Sequence, residues 1–193
     1  METTVSLFDG LGCDDHFVYP RIETAKSTIE YPLLLEEMQQ LGVEFWFMRE
    51  KAVAEANPLL VIANGNKEVL KVHFDAGLRL LCSPFGTDSE VKLHYQKARI
   101  NLSKQWQHVA CMYSKQSDLL GTYTLYSKDE VATETEFYIE QLKQILPLKK
   151  AEHTVILGND IFKANGVAGT YFREVKIWDR PQSLTSIRSG LFR

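Results

Sequence analysis

Much of the chain consists of short segments that mix β-branched and aromatic residues and alternate apolar with polar positions. Gly, Asn, Asp or Pro bounds each segment, which is the pattern of β-strands joined by turns. The spacing of the segments favours an antiparallel sandwich or barrel. The predicted strands are 68–74, 77–83, 91–102, 107–114, 121–128, 153–158 and 171–179.

Three other segments are less regular. Residues 32–42 and 49–58 contain good helix formers and end near Gly42 and Pro58, so short helices or ordered loops are predicted there as insertions on the sandwich. Residues 131–150 combine strand-like and helix-like spacing, and we interpret them as a strand plus a loop.

Length and charge exclude some classes of protein. A chain of 193 residues is sufficient for one β domain with a substantial core, and no repeat or linker divides it, so we expect a single domain spanning 1–193. The net charge of −3 gives no concentrated basic face for nucleic acid. The longest apolar runs, such as 58–63, are far shorter than the roughly 20 residues of a membrane helix. We expect neither a nucleic-acid partner nor a membrane span.

Cysteine usage and the first residues bear on the compartment. Cys13, Cys82 and Cys111 are widely spaced and lack the C-x-x-C pattern of a zinc site. Cys111 has apolar neighbours, which predicts a buried free thiol. Residues 1–17 lack the basic and apolar regions of a secretory signal. These features predict a cytoplasmic or other intracellular location, with an extracellular one as the alternative if the chain is an excised domain.

Six motifs carry a resemblance to a known family. They are SLFDGLGCDDHFVYP (6–20), GVEFWFMRE (42–50), QWQHVACMYS (105–114), GTYTLYSKDE (121–130), VILG (155–158) and VAGTYFREVKIWDRPQSLTSI (167–187). Their order and spacing resemble the laminin-G-like, or concanavalin A-like lectin/glucanase, jelly-roll domains. The resemblance implies an all-β, two-sheet antiparallel β-sandwich with short helical insertions. It also implies that the first strand pairs with the last, so that Phe8 shares a core with Val175 or Ile177.

Alternation within the motifs predicts which faces are buried. Phe45 and Phe47 share one face of a strand while Trp46 takes the other, and residues 109–113 are likewise apolar on both faces. Such strands belong at the centre of a sheet.

The last predicted strand has one buried and one exposed face. Val175 and Ile177 are predicted to face the core, Glu174 and Lys176 to face outward and pair with neighbouring strands, and Pro181 to end the strand. The residues expected to be largely buried are Trp106, Val109, Val175, Ile177 and Trp178.

The resemblance requires a test for catalysis, because glycoside hydrolases of this architecture carry acidic residues that alternate along one strand. The nearest segment contains Glu134, Glu136 and Glu140, with Glu at its centre, a displaced last acid and no flanking Trp. We interpret it as a solvated strand edge or loop, assign no catalytic residue and expect the chain not to be an enzyme.

Nucleophilic and metal motifs are equally sparse. The histidines, His16, His73, His94, His108 and His153, stand singly without metal-ligand spacing, and His108 is interpreted as a strand histidine. Residues 165–169 are predicted to form a turn rather than a phosphate loop, and Asn64-Gly65 a hairpin turn. No cofactor is expected. Calcium is the metal for which the sequence offers most, with oxygen ligands available from Asp9, Asp14, Asp15, Asn159, Asp160 and Asp179, and none of these is assigned as a ligand.

The remaining hypothesis is a binding module. A glycan site needs exposed aromatic residues, for which Tyr126, Tyr138 and Trp46 are candidates. A protein partner needs only an accessible sheet face or loop surface and suits an intracellular chain without disulfides. We therefore favour protein–protein interaction within a larger protein or assembly, with carbohydrate binding as the alternative. The sequence assigns no binding residue.

Overall fold

The computed structural model describes residues 4–6, 19–35, 40–51, 56–74, 80–84, 91–92, 104–114, 119–120 and 150–178. In these ranges every regular element is a β-strand, and no helix there is long and apolar enough to cross a membrane. The strands are β1 (Thr4–Ser6), β2 (Arg21–Ile22), β3 (Ile29–Leu35), β4 (Gln40–Arg49), β5 (Asn57–Asn64), β6 (Lys67–Phe74), β7 (Leu80–Pro84), β8 (Val91–Lys92), β9 (Gln107–Ser114), β10 (Leu119–Leu120), β11 (Ala151–Leu157) and β12 (Thr170–Trp178).

The described strands form two six-stranded antiparallel sheets, which confirms the predicted all-β sandwich. In sheet I the order is β1-β12-β4-β9-β10, and β2 also pairs with β12. In sheet II the order is β3-β11-β5-β6-β7-β8. Strands β4 and β9 are interior strands of sheet I, as their apolar residues on both faces predicted. The first strand pairs with the last, with Val5 opposite Ile177. Phe8 lies outside the described residues.

The predicted strands are found wherever the structure describes them. Strands β6, β9, β11 and β12 coincide with four predictions apart from small shifts at their ends, and β7 and β8 cover parts of two more. The prediction for 121–128 and nearly all of that for 131–150 lie outside the described residues, as does Pro181.

The prediction of short helices or ordered loops for 32–42 and 49–58 is wrong where the described residues form strands, whereas residues 50–51 and 56 are irregular. Residues 32–35 belong to β3, and the ends of the two segments belong to β4 and β5. All seven residues of β3 pair with β11, and Leu33 is buried in the core. Leucine suits a half-buried strand as well as a helix, so pairing with β11 overrides local propensity.

The core lies between the two sheets. Phe47 of β4 contacts Phe74 of β6 with ring centroids 6.0 Å apart, so the two aromatic side chains connect the sheets. Within sheet I, the ring centroids of Phe45 and Phe172 lie 6.1 Å apart. The other buried members of the cluster are Ile22, Leu33, Leu41, Val43, Leu59, Leu60, Ile62, Val69, Leu70, Val72, Val109, Cys111, Val155, Leu157, Val175 and Ile177.

Three of the five residues predicted to be buried are confirmed. Val109, Val175 and Ile177 are buried in the core cluster. Trp106 and Trp178 are only half-buried, so the prediction is wrong for both. Trp106 precedes β9, and Trp178 alternates with the buried Ile177 at the end of β12, so neither belongs to the core cluster.

Cys111 corrects a further prediction. Its side chain is buried as expected, but it is disulfide-bonded rather than free. Apolar sequence neighbours predict that a cysteine is buried. They do not show whether a second cysteine lies close enough to form a disulfide with it. The chain's other cysteines, Cys13 and Cys82, have side chains outside the described part. The thiol argument for a reducing compartment therefore fails.

A β-bulge in β12 decides which of its side chains face outward. The register with β4 shifts between Arg173 and Lys176, and Glu174 has a positive φ of 50°. Continuous alternation from Ile177 and Val175 would turn Arg173 toward the core. Because the bulge inserts an extra residue, Phe172 faces the core instead and Arg173 lies on the outer face of sheet I.

The bulge predicts an unusual response to substitution at Glu174. A left-handed conformation costs a non-glycine residue roughly 1–2 kcal/mol. Glu174→Gly is therefore expected to leave the free energy of unfolding unchanged or to raise it by up to about 1 kcal/mol. Glu174→Val should lower it by about 1–2 kcal/mol, because a β-branched side chain is strongly disfavoured at positive φ. Urea titration measures both; equal stability of the two variants would contradict the bulge.

Candidate binding face

The outer face of sheet I carries a row of aromatic and cationic side chains. Arg173 of β12 pairs with Trp46 of β4, and Trp46 pairs with His108 of β9. His108 is buried and lies edge-on to the Trp46 ring at 5.2 Å, which confirms the interpretation of a strand histidine. Trp46 is only 7 % exposed although it points away from the core.

Arg173 and the aromatic rings around it form one cluster. The Cζ atom of Arg173 lies 4.5 Å from the ring centroid of Trp106, 4.8 Å from that of Trp46 and 6.0 Å from that of Tyr19. Tyr19 contacts Trp106 edge to face, with centroids 4.9 Å apart. We call Tyr19, Trp46, Trp106 and Arg173 the Arg173 platform. Three of its four side chains are half-buried, so the platform presents polar and aromatic edges to solvent.

The Arg173 guanidinium has no acceptor among the described residues. Its Nε is buried there without a hydrogen-bond partner, and no described carboxylate forms an ion pair with it.

Arg49, on the core side of β4, does have a hydrogen-bond acceptor among the described residues, unlike Arg173. It is 2 % exposed, lies over the Phe74 ring at 4.9 Å and donates from Nη2 to Asn57 Oδ1. Desolvation by burial lowers the pKa of Arg49 to about 10, and the side chain stays charged at neutral pH.

A second cluster lies next to the platform on the same face. Arg21 of β2 contacts Glu23 Oε2 at 2.6 Å through Nη1 and Glu50 Oε1 at 3.0 Å through Nη2. The Tyr171 hydroxyl donates to Glu50 Oε1 at 2.7 Å. The Arg21 guanidinium also lies over the Tyr171 ring, 5.5 Å from its centroid. The charge of Arg21 is therefore compensated by two carboxylates.

Glu50 is held in place by backbone as well as side chains. Its N–H donates to the carbonyl of Gly169, which has a φ of +75°. A Cβ at position 169 would lie 2.7 Å from Glu50 Oε2, so glycine allows both the turn and the close approach. The hydrogen bond with Tyr171 lowers the pKa of Glu50 and raises the pKa of Tyr171. Glu50 is therefore a fixed, ionised acceptor at neutral pH.

Lys176 follows the platform along β12. Its Nζ lies 3.0 Å from Glu44 Oε1 of β4, which confirms that this outward lysine pairs with a neighbouring strand. Arg21 and Lys176 thus both have carboxylate partners, unlike Arg173.

The described calcium candidates have structural roles. Asn159 donates to the carbonyls of Ala25 and Ser27 at 3.1 and 2.9 Å. Asp160 accepts N–H groups from Phe162 and Ala164 and also contacts the amide of Asn165. Oxygens that accept N–H donors stabilise a loop, and the described residues contain no group of three or more ligands suited to a metal. Asp9, Asp14, Asp15 and Asp179 lie outside the described residues.

His153 and the two predicted turns also have structural surroundings rather than those of a binding site. The His153 ring contacts the carbonyl of Ala151 at 2.8 Å through Nδ1. Residues 165–169 lie in the connection between β11 and β12, where 168–169 form a turn, and Gly65, with a φ of 56°, lies in the predicted hairpin turn between β5 and β6. The described parts of the chain do not include Glu134, Glu136, Glu140, His16 or His94.

The three aromatic residues predicted as glycan contacts have different outcomes. Trp46 belongs to the Arg173 platform, whereas Tyr126 and Tyr138 are not described. Sequence reasoning missed Tyr19, Arg21, Glu50, Tyr171 and Arg173, and treated Trp106 as core. The available signal was the apolar outer face of β4, which indicated that other side chains cover Trp46.

Comparison with known proteins supports the fold alone. No family model and no curated protein matches the sequence. The structure resembles the binding domain of botulinum neurotoxin DC, in a complex with rat synaptotagmin II and in one with SialylT. Both matches have a TM-score of 0.51, with 13 % and 12 % sequence identity, and cover 83 % of this chain and 38 % of the toxin chain.

A weaker likeness is to a sialidase. Trypanosoma rangeli sialidase matches with a TM-score of 0.46 and 14 % identity over 77 % of this chain and 22 % of that one. This chain therefore corresponds to well under half of the length of these proteins. The likeness to the toxin domain is consistent with a β-sandwich.

Proposed function

We propose that the chain is a non-catalytic binding module that docks a protein partner on the outer face of sheet I. The observation that supports this most is the Arg173 platform, a fixed cluster of Trp, Tyr and Arg side chains outside the core. These residue types dominate the binding energy of protein interfaces, because they combine large apolar area with a directional polar group. Trp46 and Arg173 lie on the interior strands β4 and β12, which hold them rigidly, so these two side chains lose little conformational entropy on binding.

Carbohydrate binding is the second candidate. Tyr19 and Trp106 are half-exposed, and Glu50 is a fixed acceptor for hydroxyl groups. However, a neutral sugar stacks on a free aromatic face, and the described rings of the platform are already engaged by Arg173. The complexes of the toxin domain with synaptotagmin and with SialylT are compatible with either candidate.

We further propose a laminin-G-like relationship and no enzymatic activity. The order of the six sequence motifs supports the first, together with the pairing of β1 with β12. The absence of an alternating acidic triad from the sequence supports the second. The disulfide at Cys111 favours an oxidising compartment, so the extracellular alternative replaces the intracellular one in this proposal.

The proposal is tested by screening a peptide array and a glycan array with the whole chain and its variants. Tyr19→Ser and Trp106→Ser should weaken binding to the peptides retained by the wild type by at least tenfold, as expected for interface hot spots. Phe162→Ser is the matched control, because Phe162 is 78 % exposed and lies on the loop between β11 and β12. Thermal unfolding verifies that each variant is folded.

The outcomes separate the candidates. Ligands found on the glycan array alone, and lost in the same two variants, would favour carbohydrate binding. Ligands that survive both substitutions but are lost in Phe162→Ser would move the binding surface away from sheet I and contradict the proposal.

A further inference from the structure

We propose that Arg173 binds a carboxylate presented by an acidic segment of the partner protein, an inference that rests on the proposed function. The first argument is the position of the cation. The ring centroids of Trp46 and Trp106 lie 4.8 and 4.5 Å from Cζ, so two aromatic rings hold the guanidinium in place. The side chain is only half-buried, and a guanidinium carries five N–H donors, so an acceptor can approach it from solvent.

The second argument is the lack of an acceptor. The described residues offer no hydrogen-bond partner to the buried Nε of Arg173. The guanidinium therefore has hydrogen-bonding capacity that the described residues do not use, and an unsatisfied donor favours binding of an acceptor at the exposed part of the same group. The platform therefore gains more from an acceptor than a site whose donors are already satisfied.

The third argument is charge complementarity along the face. Arg21 has Glu23 and Glu50 as partners, and Lys176 has Glu44. Arg173, in contrast, has no carboxylate partner among the described residues. A neutral ligand would leave its charge uncompensated in a half-buried position, whereas an anion would compensate it.

The surroundings of Arg173 suit a carboxylate on a short apolar stem. A planar carboxylate can accept two parallel N–H bonds from one guanidinium. Tyr19 and Trp106 border the cation with apolar ring surface that can cover the methylene groups of an aspartate or glutamate side chain. Asp or Glu within an extended segment of a partner meets both requirements.

The experiment measures fluorescence anisotropy of a labelled oligoglutamate peptide, with oligoglutamine of equal length as the neutral control. The wild type should bind the acidic peptide at least tenfold more tightly than the neutral one. Arg173→Gln should weaken binding of the acidic peptide at least tenfold, and so should Arg173→Lys, because an ammonium keeps the charge but loses the planar fork. Lys67→Gln, an exposed cation on sheet II, removes the same charge and should change Kd less than twofold.

Each other result overturns the inference. Equal loss in Lys67→Gln would mean that net charge alone attracts the peptide, and unchanged Kd in Arg173→Gln would exclude the residue. Arg173-dependent binding of sialyllactose without binding of oligoglutamate would replace the acidic protein with an acidic sugar. Array ligands that require Tyr19 and Trp106 but not Arg173 would leave the proposed function intact and refute the carboxylate site. Thermal unfolding of both Arg173 variants separates loss of binding from loss of fold.

Discussion

Truncation of Phe47 to alanine is expected to lower the free energy of unfolding by about 3–5 kcal/mol, as for other fully buried aromatic side chains. Phe47 is 1 % exposed and contacts Phe45 within its own strand and Phe74 across the sandwich. The substitution therefore removes apolar contact from both sheets at once. The surrounding strands are paired on both sides of β4, so they cannot close the cavity by a small shift.

Urea titration followed by tryptophan fluorescence measures this loss. Phe162→Ala provides the matched control, since the same side chain at 78 % exposure should contribute within about 0.5 kcal/mol of zero. A loss below about 1.5 kcal/mol for Phe47→Ala would contradict the position of Phe47 between the sheets.

Much of the fold could be predicted because strand alternation is a local property. The sequence between 109 and 113 is apolar on both faces, and β9 is an interior strand with Val109 and Ala110 both buried. Local propensity failed at 32–35, because the helix-forming leucines there become a strand only through pairing with β11, more than 100 residues away in sequence.

The candidate site could not be predicted for a related reason. Strict alternation in β12 turns Arg173 inward, and only the bulge at Glu174 reverses this. Neither the sequence pattern nor the resemblance indicates a bulge at a glutamate. The contact between Tyr171 and Glu50 spans 121 residues, so no local pattern brings the two together.

The disulfide at Cys111 gives the second large effect. The chain has three cysteines, and a disulfide uses two of them, so a denatured, unreduced sample should titrate as one free thiol per chain and a reduced sample as three. Peptide mapping without reductant would identify whether Cys13 or Cys82 is the partner.

Reduction of this disulfide is expected to lower the free energy of unfolding by about 2–5 kcal/mol, because the reduced unfolded chain gains the conformational freedom that the cross-link removes. Dithiothreitol should therefore shift the urea midpoint of the wild type strongly. Cys111→Ala cannot form the bond, so its midpoint should not respond to dithiothreitol, and it should lie at or below that of the reduced wild type, because the alanine also loses buried sulfur contacts. This comparison separates the cross-link from the packing of the buried side chain.

Three thiols in the unreduced sample, or a wild-type midpoint that dithiothreitol does not change, would contradict the disulfide. Either result would also restore the reducing compartment that the free thiol predicted.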